Sequence, residues 1–415
     1  MTRRKSAQPP TRPADDIAPP ATGMLALATV GFAVAFWAWA LLAPLGATLR
    51  EQLSLTAFQQ SLVVAVPVVV GSLGRIPVGA LTDRFGARRM FPAVTALTIL
   101  PVLYLGFLAD SLAEVLIGGF FLGLGGTTFA IGVPFVNAWF PAQRRGFAIG
   151  VFGMGTGGTA LASFTTIPLT DALGQSFPFT LVAILLAVYA VTAHLLLRDN
   201  PTRPAATAPL LARIGAGLRH GVTWQLAFLY AVAFGGFVAF SVYLPTYLTT
   251  AYGLDRSDAG LRTAGFVVLA VLMRPVGGLL ADRVGAVPVL LCCYVVIALL
   301  AVVAATRPPL VPVGTAAFLG MAAALGAGSG AVFALVAALV PAQEVGTVTG
   351  LVGAAGGLGG FFPPLVMGTV YGLMADYSWG YILLAVTAAA AAAFTATMVR
   401  RRVATVAPAD QPARG

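Results

Sequence analysis

The chain has 415 residues, of which 59% are hydrophobic and 9% charged, with a mean hydropathy of +0.92. Soluble domains carry about 25% charged residues, so a soluble enzyme or binding domain is excluded and an integral membrane protein is expected. The net charge of +10 does not point to nucleic acid, because the excess lies in short loops and tails, where basic residues set membrane topology.

Residues 1–23 (MTRRKSAQPPTRPADDIAPPATG) are polar and Pro-rich, and read as a disordered cytoplasmic tail rather than a signal peptide. Six apolar stretches follow at about 24–46, 57–81, 89–108, 111–139, 144–168 and 177–197. Each is long enough to cross a hydrocarbon core of about 30 Å as a helix, and together they predict a six-helix bundle over 24–197. Residues 198–223, with Arg198, Arg203, Arg213 and Arg219, read as a polar cytoplasmic linker. Six further stretches, at about 224–250, 258–281, 286–306, 311–340, 344–373 and 378–400, predict a second bundle over 224–400. Residues 401–415 read as a cytoplasmic tail. The period-2 alternation of a β-barrel is absent, so the expected class is all-α with twelve transmembrane helices. Cys292 and Cys293 are adjacent inside an apolar span and suggest neither a disulfide framework nor a metal site; no cofactor is expected.

Charge fixes the expected orientation. With the N-terminus inside, tails and cytoplasmic loops hold 18 of the 24 Lys and Arg residues, and external loops hold Arg50, Arg256, Arg262 and Arg307. That imbalance predicts cytoplasmic N- and C-termini. The two halves also repeat. A shift of 199 residues lays Arg75, Gly79, Asp83, Arg84 and Gly86 onto Arg274, Gly278, Asp282, Arg283 and Gly285. A shift of 200 lays Pro141, Gly146, Gly150 and Gly153 onto Pro341, Gly346, Gly350 and Gly353. An even number of spans per half makes the repeats parallel, the plan of transporters whose substrate site lies between the halves near the midplane.

GALTDRFGARR (79–89) and its echo GLLADRVG (278–285) resemble the signature loop of the major facilitator superfamily. The pairs Asp83/Arg84 and Asp282/Arg283 lie at helix ends, where a gating role through state-dependent pairing is expected; plain solvation of the loop is the alternative. Arg75 and Arg274 are another matter. Eight residues at about 1.5 Å each place them about 12 Å inside the helix end, where a charge costs about 3 kcal/mol on insertion scales. All 14 Asp and Glu residues lie in tails, loops or helix ends, and His194 and His220 fall at or beyond the end of the sixth span. The missing counter-ion is then expected to be an anionic substrate, which a planar guanidinium fork can hold by two parallel hydrogen bonds. The alternative is a structural strut, each arginine bonding backbone carbonyls.

GFAIGVFGMGTGGTA (146–160) and GTVTGLVGAAGGLGGFFPP (346–364) place glycine every three or four residues, which lets helices or a ligand approach the backbone closely. These two segments, with an arginine in each of spans two and eight, resemble the nitrate/nitrite porter family of the major facilitator superfamily over about 24–400. The resemblance implies a major facilitator fold with Arg75 and Arg274 clamping nitrate or nitrite. It implies an aromatic sandwich from Phe129, Tyr230 and Phe234, with Phe237 a neighbour, although each ring read alone is ordinary packing. It places Gly157, Gly350 and Gly353 close to the anion. Family members usually carry an asparagine where this chain has Thr156, which is expected to supply one hydrogen bond in its place and leaves the choice between nitrate and nitrite open.

The expected function is nitrate/nitrite antiport across the inner (cytoplasmic) membrane by a monomer that is not an enzyme. Proton-coupled nitrate symport, with a peripheral group such as Glu344 carrying the proton, is the alternative. Formate or oxalate would also suit two arginines but not the aromatic and glycine pattern. A nitrate sensor is disfavoured by the short tails.

Overall fold

The computed structural model describes residues 19–141, 145–201, 210–340, 345–401 and 403; the expected disordered tail and Glu344 lie largely or wholly outside these. In chain order the helices are α1 (Pro19–Trp39), α2 (Leu42–Gln52), α3 (Ala57–Leu73), α4 (Arg75–Phe85), α5 (Ala87–Phe107) and α6 (Leu112–Leu122). Next come α7 (Thr128–Trp139), α8 (Arg145–Gly153), α9 (Gly158–Leu173), α10 (Phe177–Leu196), α11 (Leu210–Arg219) and α12 (Gly221–Tyr252). The last are α13 (Arg256–Val284), α14 (Ala286–Ala305), α15 (Thr315–Leu339), α16 (Val345–Gly359), α17 (Phe362–Met374) and α18 (Ser378–Phe394).

Several pairs are two halves of one membrane crossing. Among the described residues, 11 helical stretches are long and apolar enough to span a membrane; residues 145–173, α8 and α9 joined by a tight turn at Met154–Gly157, form the twelfth crossing. The fourth crossing narrows in the same way at Gly123–Thr127, where Thr127 and Thr128 hydroxyls donate to the carbonyls of Leu124 and Gly125, each at 2.7 Å. Buried polar hydroxyls and 3₁₀ geometry re-satisfy the backbone where a regular helix is interrupted inside the membrane.

Lipid gives helices no hydrophobic reason to associate, so close packing by small residues holds them. A Cβ at Gly277, Gly326 or Gly330 would collide with the backbone of the facing helix at Ala327, Ala270 and Arg274, and this close seam fixes α13 against α15. Large apolar side chains such as Leu100, Leu195 and Leu299 are left on the outside, where a bilayer covers them.

The two halves meet tightly at the end away from the 83–89 and 282–286 loops. There α3 packs on α17, with Gly368 leaving no room for a side chain beside Ser61, and α9 packs on α13, with Gly260 against the Ser163 carbonyl. Gln60 donates to Thr246 at 3.4 Å and accepts from Arg50 at 3.4 Å, and Arg256 pairs with Glu51 across the halves. A surface recess of about 920 Å³ outside this seal is bordered by Arg50, Glu51, Gln60, Asp171, Asp255 and Arg256.

The linker holds a feature its polar composition concealed. Leu210–Arg219 is helical (α11), and Gly217 lies so close to α16 that a Cβ would stand 2.8 Å from Leu351 and 3.1 Å from Thr347. Thr223 and Trp224 of α12 tie its end down by donating to the carbonyls of Gly217 at 2.7 Å and Leu218 at 2.9 Å.

Candidate functional site

Arg75 is the first residue of α4, just after the break at Gly74, where a Cβ would stand 2.8 Å from Thr127 Cγ2. Only glycine lets α3 approach the 123–127 turn this closely and start a new helix axis with the arginine aimed inward. Arg274 instead sits within the unbroken α13, one residue before Pro275. Both arginines are buried, 5% and 7% exposed.

Arg75 Nε donates to the Gly126 carbonyl at 3.3 Å, and its Nη1 donates to the Gly353 carbonyl in the opposite half at 2.6 Å. Arg274 Nη1 donates to the Gly153 carbonyl at 3.3 Å and to Thr156 Oγ1 at 3.0 Å, both in the other half, while its Nη2 donates to Tyr230 Oη at 3.1 Å. Each arginine therefore crosses to the glycine segment of the other repeat, and Gly153 and Gly353 are themselves repeat partners. No described Asp or Glu pairs with either guanidinium. The carbonyl strut and the unpaired cation, alternatives on sequence grounds, coexist here: carbonyls absorb some N–H groups while both positive charges lack a carboxylate.

Aromatic rings fill the space between them. Phe234 lies 5.8 Å from Arg75 Cζ and 4.9 Å from Arg274 Cζ, so one ring serves both cations. Phe129 stands 4.9 Å from Arg75, and Phe237 5.8 Å from Arg274. Cations over ring faces gain from the ring quadrupole, more so when desolvated. Tyr230 stacks on Phe234 at 4.9 Å with planes 8° apart. Phe333 of α15 links the group, 4.8 Å from Tyr230 and 6.3 Å from Phe129. It carried no signal in sequence: it is one aromatic in an apolar span, out of register with Phe129 in the repeat.

Phe129, Tyr230, Phe234, Phe237, Thr156 and Gly353 thus gather on the two arginines. Gly157 and Gly350 have nothing within 4 Å of an added Cβ, so both border open space. The expected hydrogen bond from Thr156 takes a different direction. Its hydroxyl donates to the Gly153 carbonyl at 2.8 Å and accepts from Arg274; its single proton is committed, and it orients the arginine.

The loop motifs behave otherwise. Arg84 lies over the Phe85 ring at 5.2 Å, while Asp282 and Arg283 are exposed and form no ion pair among the described residues; the Asp83 side chain lies outside them. The helix following the first motif is capped from the linker, since the Ala87 and Arg88 amides donate to Asp199 Oδ1 at 2.9 and 3.2 Å. A carboxylate at a helix N-terminus is favoured by the macrodipole, but its distance in sequence hid this one. No group of His, Cys, Asp and Glu among the described residues could hold a metal.

The family model of the Major Facilitator Superfamily matches residues 28–255 and 226–414. The chain is 50% identical over 382 residues to "Probable nitrate/nitrite transporter NarK2" of Mycobacterium tuberculosis, covering 91% of this chain and 97% of that protein. It is 37% identical over 366 residues to "Nitrite extrusion protein" of Bacillus subtilis, covering 88% and 91%. It is 34% identical over 362 residues to "Probable nitrate transporter NarT" of Staphylococcus haemolyticus, covering 87% and 93%. Among solved structures, a bacterial homologue of the human lysosomal transporter Spinster, inward-facing and unoccupied, superposes with a TM-score of 0.70 over 95% of this chain and 99% of that one. At 18% identity this likeness concerns the fold.

Proposed function

The chain belongs to the nitrate/nitrite porter family of the major facilitator superfamily, and from that premise we propose that it exchanges nitrate for nitrite across the cytoplasmic membrane by alternating access. The observation that carries this reading is the convergence of Arg75 and Arg274 on one shared ring, Phe234, with no carboxylate among the described residues beside them. A small planar oxyanion fits between aromatic faces and accepts hydrogen bonds from both guanidinium forks. Arg75, Arg274, Phe129, Tyr230 and Phe234 would contact the anion, Gly157, Gly350 and Gly353 would let it approach the backbone, and Thr156 would orient Arg274.

Exchange is favoured over symport because the described core holds no carboxylate or histidine to carry a proton. The basic loop end faces the cytoplasm on the charge imbalance between the two ends, and the seal of Glu51, Gln60, Thr246 and Arg256 then lies on the external side. Asp83/Arg84 and Asp282/Arg283, at the cytoplasmic end, act as gates through state-dependent pairing. Purified protein in liposomes tests the reading: nitrate entry should require internal nitrite or nitrate and ignore an imposed pH gradient. Entry driven by a pH gradient into anion-free vesicles would establish symport instead, and exchange of formate in preference to nitrate would change the substrate.

A further inference from the structure

On the loop-motif side of Arg75 the structure contains a cavity of about 120 Å³, room for several water-sized molecules. Its walls include Arg75, Gly79, Asn137, Thr347, Thr349 and Gly350, and Ile214 of α11 borders it as well. Three facts separate it from a packing gap. First, Thr349 is buried, 7% exposed, yet its hydroxyl makes no hydrogen bond among the described residues. Other buried threonines in these helices, Thr82, Thr95, Thr98 and Thr263, donate to the carbonyl four residues back at 2.7 to 2.8 Å. Thr347, half-buried on the same wall, likewise makes none among the described residues. Second, Arg75 spends Nε and Nη1 on carbonyls, leaving Nη2 without a protein acceptor among the described residues. Third, Gly350 faces open space at this wall.

Two hydroxyls and a guanidinium edge, none with a protein acceptor among the described residues, thus face one space. We infer that this cavity is a second, transient station for the transported anion, between the arginine clamp and the loop-motif end, with Thr347, Thr349 and Arg75 as its donors. The inference rests on the exchange reading above. Arg75 belongs to both stations, so the anion passes along one arginine without losing its positive partner. The repeat shows that the station is one-sided: Thr347 and Thr349 correspond to Phe147 and Ile149 in the first half, which offer no donor. Ile214 of α11 adds an apolar side chain to the wall.

The test compares the parent with a Thr347→Val, Thr349→Val double variant, which keeps volume and removes both hydroxyls. Maximal nitrate/nitrite exchange in liposomes should fall about tenfold, the effect of losing hydrogen bonds to a charged group. Equilibrium nitrate affinity of the purified protein, measured by calorimetry, should change less than about twofold, because the clamp itself is intact. Thr349→Ser, which keeps the hydroxyl, should exchange near the parental rate. Parental exchange in the double variant overturns the station. Loss of affinity in step with rate also overturns it, by placing the threonines in the clamp. A parent protein that binds neither nitrate nor nitrite would instead overturn the exchange reading, and the station with it.

Discussion

Arg75 and Arg274 occupy matching positions of a repeated sequence, yet they are held by different chemistry. Both reach into the other half, to the carbonyls of Gly353 and Gly153. Arg75 is otherwise supported by a second carbonyl and lies beside a cavity, whereas Arg274 is fixed by two hydroxyls, those of Thr156 and Tyr230. Their helices differ too: Arg75 begins a new helix after a break, and Arg274 sits inside a continuous one whose backbone is wedged against α15. The lesson is that matching positions of a repeat can hold the same cation through different partners, carbonyls for one and hydroxyls for the other.

The largest expected effect tests what the two share. Arg75→Lys or Arg274→Lys keeps the charge but loses the planar fork, and nitrate exchange should drop at least about 100-fold with the protein still inserted and folded. Normal transport by Arg274→Lys would end the clamp hypothesis.

The next tests where they differ. A methyl on Gly353 would stand 3.2 Å from Phe129 and 3.7 Å from Arg75, while one on Gly153 would meet Arg274 at 3.9 Å, an ordinary contact. Crowding a packed site costs about 1–3 kcal/mol, so Gly353→Ala should reduce exchange about tenfold and Gly153→Ala less than about threefold. Equal losses would show that the two environments are equivalent after all.

Tyr230→Phe keeps the ring stack on Phe234 and removes only the bond from Arg274. Nitrate affinity should weaken about fivefold, with no parallel position at Arg75 to show the same sensitivity. An unchanged affinity by calorimetry would reduce the phenol to packing. The smallest effect belongs to the seal at the other end. Glu51 and Arg256 are 70% and 34% exposed at the side chain, and exposed pairs are worth about 0–1 kcal/mol. Glu51→Gln should therefore alter the exchange rate by less than about twofold, and less still at high salt.

Much of this was legible before any coordinates. The spans, the repeat and the two arginines show in sequence because a charge inside an apolar stretch is costly enough to stand out. The aromatics were legible only through family resemblance, since a phenylalanine in an apolar helix is ordinary. Phe333 and the helix of residues 210–219 were missed: the first lies out of register in an apolar span, and the second hides in a linker whose arginines mask a short amphipathic pattern.

What the sequence determined by itself is the membrane class, the twofold plan and the presence of two unpaired cations, all of them local or periodic properties. The tertiary structure alone decided the partners. Arg75 bonds a carbonyl 278 residues away and Arg274 one 121 residues away, Thr156 spends its proton on Gly153, and Thr347 and Thr349 are brought to a cavity beside Arg75. Those choices depend on how closely glycine-rich helices from different parts of the chain approach, and packing across such separations leaves no periodic trace in the residues that make it.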